Sequence, residues 1–201
     1  MMTLKKSLFN ILLFVILLFS FAKLSYALEP KDFVQSTIDK ASEILSSESS
    51  KDEKIVQLRD IAKNTVDIRG IGFYSLGSHR KSLDSDQKKE YLKIFEQYFL
   101  KSFSSRLAEY SDPKIRVDSQ EKLNEKYTMV SSTLLAGDDK PEVKIDWRIV
   151  TKDPNNPLII DVVIEGVSLA KVQKEEFNSI IQSNGGDIKV LFTTLQEFIN
   201  Q

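Results

Sequence analysis

The spacing of apolar residues changes twice along this chain of 201 residues, and that change constrains the fold more than any other feature. Between about residues 115 and 165, apolar side chains recur at every second position, as in half-buried strands. On either side they recur at the three- and four-residue spacing of amphipathic helices. Strands grouped between helices are typical of the α+β class, in which helices pack on one face of a sheet.

Four segments carry the strand pattern, and short turns separate them. The clearest is EVKIDWRIV at 142–150, in which apolar and charged residues alternate. The other three begin near residue 115 or span 126–136 and 158–165. Short connections favour antiparallel neighbours, and a single apolar face predicts a sheet covered on one side. We therefore expect a curved antiparallel sheet of about four strands with helices packed on one face.

Capping signals mark where the helices begin. Ser50 with Glu53, and Asp84 with Gln87, have the spacing of capping boxes. The second box should start the longest helix, which we expect to reach about Tyr110. The glycine-rich stretch IRGIGFYSLG predicts only a short helix. The expected helices begin at or near residues 30, 51, 68, 85, 169 and 188.

The N-terminal segment has the layout of a secretory signal peptide. Two lysines precede the apolar run LFNILLFVILLFSFA, and small residues follow at Ser25 and Ala27. The run is shorter than the roughly 20 apolar residues of a spanning helix. We expect cleavage near Ala27, which would leave 28–201 as a single domain in the periplasm.

Charge and composition exclude several function classes. Three of the 28 basic residues lie in the N-terminal segment, which leaves 25 against 29 acidic residues. Such a balance does not suit nucleic acid. The chain has one histidine and no cysteine, so a zinc site built from Cys and His is excluded.

Neither a nucleophile elbow nor a phosphate-binding loop is present. The histidine, His79, lies in a polar stretch that predicts a solvated loop. Asp146 and Asp161 interrupt strands, and we expect them to form exposed ion pairs with Arg148 or nearby lysines. We therefore expect no catalytic residues, no metal and no cofactor, and hence no enzyme.

Two stretches carry a family resemblance. The first runs from Leu76-Gly77 through the capped turn at Asp84 to an aromatic helix. The second joins a Trp-Arg strand through a hairpin to an Asp-Val strand, and then to Glu-Gly-Val-Ser and a helix with a glycine stop. Its matching residues are Trp147, Arg148, Asp161, Val162, Glu165, Gly166, Val167, Ser168, Phe177 and Gly186. In order and spacing the chain resembles the MlaC-like family of periplasmic phospholipid carriers, also called the toluene-tolerance family. It departs from the family pattern at Ser78-His79, where a bulky aromatic is common, and in the hairpin DPNNPLII.

The resemblance implies a soluble carrier that shuttles phospholipid between an outer-membrane lipoprotein–porin complex and an inner-membrane transporter of the ABC and MCE type, which would maintain outer-membrane lipid asymmetry. It also implies a deep apolar cavity between sheet and helices, with phospholipid as the bound cargo. We expect this cavity to be lined by apolar residues of the aromatic helix, the glycine-rich segment and the inner sheet face. These residues are Ile71, Tyr74, Phe95, Phe99, Phe103, Met129, Trp147, Ile149, Val162, Ile164 and Val167.

Three alternatives remain open at this point. A periplasmic chaperone for lipoproteins or outer-membrane proteins would show a shallow exposed groove. An enzyme on the same scaffold would need Asp146 or Asp161 to point inward, unpaired, into a pocket. A purely structural partner protein would purify without any ligand.

Overall fold

The computed structural model describes residues 28–136 and 141–201, so the expected signal peptide at 1–27 lies outside the described residues. The described part forms helices, then strands, then helices, as expected. In chain order the elements are α1 (Pro30–Ser46), α2 (Lys51–Thr65), α3 (Ile68–Ser75), a 3₁₀ helix (Gly77–Lys81), α4 (Ser85–Leu107), β1 (Ile115–Lys122), β2 (Tyr127–Leu134), β3 (Val143–Val150), β4 (Leu158–Ile164), β5 (Val167–Ser168), α5 (Leu169–Ser183) and α6 (Ile188–Asn200).

Both predicted capping boxes are present. The Ser50 hydroxyl accepts from the Glu53 amide, and the Glu53 carboxylate accepts from the Ser50 amide at 2.9 Å. Asp84 and Gln87 exchange the equivalent bonds at 2.8 and 3.0 Å. Helix α4 therefore begins where the sequence indicates, although it ends at Leu107 rather than near Tyr110. None of the helices in the described ranges has the length and apolar character needed to span a bilayer.

The strands form one antiparallel sheet in the order β1-β2-β3-β4-β5, so each strand pairs with its neighbour in the chain. The α+β prediction is confirmed. The two-residue strand β5 is additional to the four expected strands. Glu165 and Gly166 both have positive φ, 48° and 81°, which is the backbone of a two-residue hairpin turn. That turn folds Val167 and Ser168 back along the end of β4.

The register decides which side chains face the helices. Val130 lies opposite Trp147, and Trp147 lies opposite Val162, so these three share the inner face. A bulge in β4 leaves Ile160 as an extra residue between the pairs Arg148–Asp161 and Ile149–Ile159. Ile159 and Val162 therefore face the same side, although an unbroken strand would place residues three apart on opposite faces.

The helices pack mainly against one another and touch the sheet near its two sides. Helix α1 packs across β1 and β2, whereas α3 and α5 pack on β4. Helix α4 packs against α2, α3 and α6. Its buried Phe95 meets Phe177 of α5 edge-on, with ring centroids 6.1 Å apart. A side chain at Gly72 of α3 would meet the Phe95 ring at 2.8 Å, so this close approach of α3 to α4 requires glycine.

One buried hydrogen bond fixes α3 against α4. The Tyr91 hydroxyl, which is fully buried, donates to the Gly72 carbonyl oxygen at 2.9 Å. Burial raises the pKa of Tyr91 far above its ordinary value, and the neighbouring Tyr98 adds to the rise. The neutral phenol is therefore the form that the fold accommodates.

We predict that Tyr91→Phe lowers the free energy of unfolding at neutral pH by about 1–2 kcal/mol, because one partner of a buried hydrogen bond is lost. In the unfolded chain the pKa of a tyrosine is about 10. Above that pH the unfolded wild type releases a proton that the folded state retains, so wild-type stability falls while the variant lacks this contribution. The stability gap should shrink by about 1.4 kcal/mol per pH unit above 10. Urea unfolding of both proteins across this pH range measures the gap, and a gap that stays constant would contradict the prediction.

Candidate functional site

The residues expected to contact acyl chains fall into three groups. The first group, Ile71, Phe95 and Ile149, is buried in the core. The second group is partly exposed on the inner surfaces, with Phe99 and Phe103 on α4 and Trp147, Val162 and Ile164 on the sheet. The third group consists of Tyr74, Met129 and Val167, which lie elsewhere.

For this third group the expected inward position is wrong. Tyr74 is 46% exposed because the buried side of α3 consists of Ile71, Gly72 and Ser75. Val167 is 52% exposed because it follows the hairpin turn on the edge strand β5. Met129 pairs with Arg148, which places it on the face opposite that of Trp147.

We call the partly exposed residues Phe99, Phe103, Trp147 and Val162 the inner seam. All four pack against the same core cluster, which includes residues of both the helices and the sheet. The rings of Phe99 and Phe103 stack in parallel, with centroids 5.7 Å apart and planes 8° apart. The inner seam therefore borders the core with apolar surface that is not fully covered.

Trp147 shows why the inner seam is open. A residue in the middle of the central strand is ordinarily the most deeply buried one in a sheet. Here the helices pack over β1 and β2 on one side and over β4 on the other, and the indole on β3 stays partly exposed. Its Nε1 donates to the Ser132 hydroxyl at 2.9 Å, which fixes the ring against β2. The sequence pattern did not reveal this role of Ser132.

A separate surface pocket of about 270 Å³ lies beside α3. Cavities that bury drug-sized ligands measure roughly 300–1,000 Å³, so this pocket is too small for two acyl chains. Three of its lining residues are cationic, and His79 lies next to it in the 3₁₀ helix rather than in a loop. The lining residues are Phe73, Tyr74, Gly77, Ser78, Arg80, Lys81 and Lys174.

Asp161 is paired, as expected, but it is buried rather than exposed, with 4% of its surface accessible. Its Oδ2 accepts from the Ser168 hydroxyl at 2.6 Å and lies 3.3 Å from Arg148 Nη1. Its Oδ1 accepts from the Ala170 amide at 3.0 Å. The carboxylate is buried because the hairpin returns the start of α5 to β4, and it anchors that helix to the sheet.

Asp146 is also paired, with Ser131 Oγ at 2.6 Å and Lys144 Nζ at 3.2 Å. Neither strand carboxylate is therefore the free inward acid that an enzyme on this scaffold would use. Among residues 28–136 and 141–201, no three acidic or histidine side chains come together in a way that could hold a metal ion.

The family model described as "MlaC protein" matches residues 35–197, which is most of the chain. The chain belongs to the MlaC family. A relative from Haemophilus influenzae, named "Intermembrane phospholipid transport system binding protein MlaC", is 25% identical over 205 residues, covering 98% of this chain and 94% of the relative. The resemblance seen in the sequence is thus confirmed.

The fold of this MlaC family member also occurs in a solved structure. The phospholipid-binding protein from Ralstonia solanacearum, in complex with a phospholipid, matches with a TM-score of 0.71 at 19% identity. The match covers 86% of this chain and 98% of the Ralstonia chain. The two proteins share the α+β architecture over nearly the whole described part.

We predict that Asp161→Ala lowers the free energy of unfolding by about 2–4 kcal/mol, because the buried Ala170 amide loses its acceptor and Arg148 its counterion. A matched control is Asp112→Ala, which removes a carboxylate that forms only an exposed pair with Lys114 and should cost less than about 1 kcal/mol. Urea unfolding of the three proteins measures both effects. Equal losses in the two variants would show that Asp161 does not anchor α5.

Proposed function

We propose that this protein is a periplasmic phospholipid carrier whose acyl-chain site lies along the inner seam. The observation that carries the proposal is the partly exposed Trp147 at the centre of the sheet, with the partly exposed Val162 beside it on β4. Ligand-binding grooves are among the features that exposed apolar patches mark. The phospholipid bound by the Ralstonia protein of the same fold supports this ligand class.

The energetics explain why such a carrier is needed. Exposing one methylene group to water costs about 0.8 kcal/mol, so an acyl chain of roughly 16 carbons costs on the order of 12 kcal/mol. A protein that covers the chains removes this barrier while the headgroup stays hydrated. In our proposal Phe99, Phe103, Trp147, Val162 and Ile164 contact the chains. The buried residues Ile71, Phe95 and Ile149 form the floor beneath them.

We further propose where the protein acts and between which membrane complexes it carries lipid. Residues 28–201 act as a single periplasmic domain once the segment 1–27 has been removed. The domain takes phospholipid between an outer-membrane lipoprotein–porin complex and an inner-membrane transporter of the ABC and MCE type, and so maintains outer-membrane lipid asymmetry. The name of the Haemophilus relative, which places that protein in an intermembrane phospholipid transport system, supports this role. We propose binding and release without chemical change, and phospholipid as cargo rather than a cofactor.

We predict that native mass spectrometry of purified residues 28–201 shows a stoichiometric mass shift that matches a phospholipid. The shift should disappear on denaturation, and solvent extraction should recover the lipid. A clean unliganded mass, together with no uptake from liposomes, would contradict the carrier function. The chaperone alternative would then be tested by binding of unfolded outer-membrane proteins.

We also predict where the chains lie. Trp147 is the single tryptophan, so phospholipids with brominated acyl chains should quench the intrinsic fluorescence strongly. The matched control is the double variant Trp147→Phe/Met129→Trp, which moves the tryptophan to the neighbouring strand and the opposite face of the sheet. Quenching should be weak in the control. Equal quenching from the two positions would argue against binding along the inner seam.

A further inference from the structure

Positive charge is concentrated around the small pocket beside α3, although residues 28–201 carry more acidic than basic side chains. From Ile68 to Leu83 the chain contains Arg69, Arg80 and Lys81 but no Asp or Glu. Lys174 reaches the same pocket from α5. Cations that are distant in sequence thus converge on one cavity.

The neighbouring carboxylates are engaged elsewhere. Asp67 accepts from the Gly70 amide at 2.8 Å, and Asp84 caps the first turn of α4. On α5, Glu175 lies 3.7 Å from Lys171, and the Glu176 carboxylate accepts from Nε2 of the Gln173 side chain at 3.1 Å.

Consequently, in the parts of the chain that the structure describes, Arg80, Lys81 and Lys174 form no ion pair with a carboxylate. Because like charges repel, converging cations without a counterion favour an anionic ligand. The pocket therefore has the charge of a binding site for an anion.

The backbone positions these cations. Gly77 has a φ of +55°, and a Cβ there would lie 3.0 Å from Lys174 Cε, so the lysine stem crosses the glycine. The Lys174 ammonium lies 5.3 Å from the centre of the Tyr74 ring. His79 Nε2 lies 3.1 Å from Asn178 Oδ1, which ties the 3₁₀ helix to α5. The pocket therefore has an apolar aromatic wall and a cationic rim held by two elements.

We propose that this pocket binds the phosphate group of an anionic phospholipid when the protein lies on a membrane surface. Arginine and lysine bind phosphate oxygens, and tyrosine and basic side chains together are typical of the lipid headgroup region. A pocket of about 270 Å³ suits a small anionic group better than the flat acidic surface of a protein. The site serves docking and does not depend on lipid binding along the inner seam.

Vesicle flotation tests the proposal. The wild-type protein should bind vesicles of phosphatidylcholine mixed with phosphatidylglycerol, bind pure phosphatidylcholine far more weakly, and lose binding as salt is raised. In Arg80→Gln/Lys81→Gln the affinity for the mixed vesicles should fall about 25-fold, since each basic side chain near an anionic surface contributes about a fivefold factor. The control Lys114→Gln/Lys122→Gln changes the net charge equally at exposed positions of another surface and should bind nearly as the wild type does.

A second variant separates geometry from charge. Gly77→Ala keeps every cation but displaces Lys174, so binding should weaken several-fold, with circular dichroism used to verify the fold. Wild-type affinity in Arg80→Gln/Lys81→Gln, or equal losses in that variant and the lysine control, would overturn the proposal.

Two further outcomes would assign the pocket to another ligand and so overturn the proposal. If millimolar inorganic phosphate, compared with sodium chloride at the same ionic strength, displaces the protein from vesicles, the pocket takes free phosphate. If the wild type does not bind vesicles while Arg80→Gln/Lys81→Gln fails to deliver lipid to the transport complex, the pocket binds an acidic protein. Native mass spectrometry of Arg80→Gln/Lys81→Gln should still show bound phospholipid, so failure of this proposal is distinguishable from failure of the carrier function.

Discussion

The packing of one aromatic ring, that of Phe95, holds the helical layer together. On its own helix the ring lies near Tyr91, Tyr98 and Phe99, and Phe177 of α5 meets it edge-on. Helix α3 approaches so closely that only glycine fits at position 72. Because a buried phenylalanine is worth several kcal/mol when truncated, the relative positions of α3, α4 and α5 all depend on this contact.

Because the helices pack so closely on one another, they cover only part of the inner face of the sheet. Contacts between the layers concentrate on β1, β2 and β4, and Trp147 on β3 is therefore only half-buried. The same arrangement gives α3 two environments. Ile71 lies in the core, whereas Phe73 and Tyr74 line the basic pocket outside it. The inner seam and the basic pocket beside α3 thus both result from the way the helices pack on one another and on the sheet.

Much of this architecture was predictable because its signals are local. The capping boxes at Ser50 and Asp84 mark helix starts by short-range chemistry, and alternation revealed β3. The inward position of Met129 was predicted wrongly, since a shift of one residue reverses the face of a side chain and the register depends on partner strands. The burial of Asp161 was missed for a related reason. Its cover comes from α5, which only the tertiary fold brings there.

The positions of the inner-seam residues were predictable to a similar extent. The aromatic residues of α4 and the tryptophan of β3 stand out in the sequence pattern, but the exposure of Tyr74 depends on how α3 is rotated against its neighbours. The cationic rim was not identified, because Arg80 and Lys174 are far apart in sequence and meet only in the fold.

The extra residue Ile160 shifts the alternation of side chains along β4 by one position. Ile159 before it and Val162 after it both lie on the inner face of the sheet, whereas the anchoring carboxylate of Asp161 lies on the opposite face. If every residue of β4 were paired regularly, Ile159 on the inner face would carry Asp161 inward and Val162 outward, which would bring a charge against the aromatic rings. The bulge prevents this exchange, because it seats one additional residue in the strand while Ile159, Asp161 and Val162 keep the faces that regular pairing without Ile160 would give them.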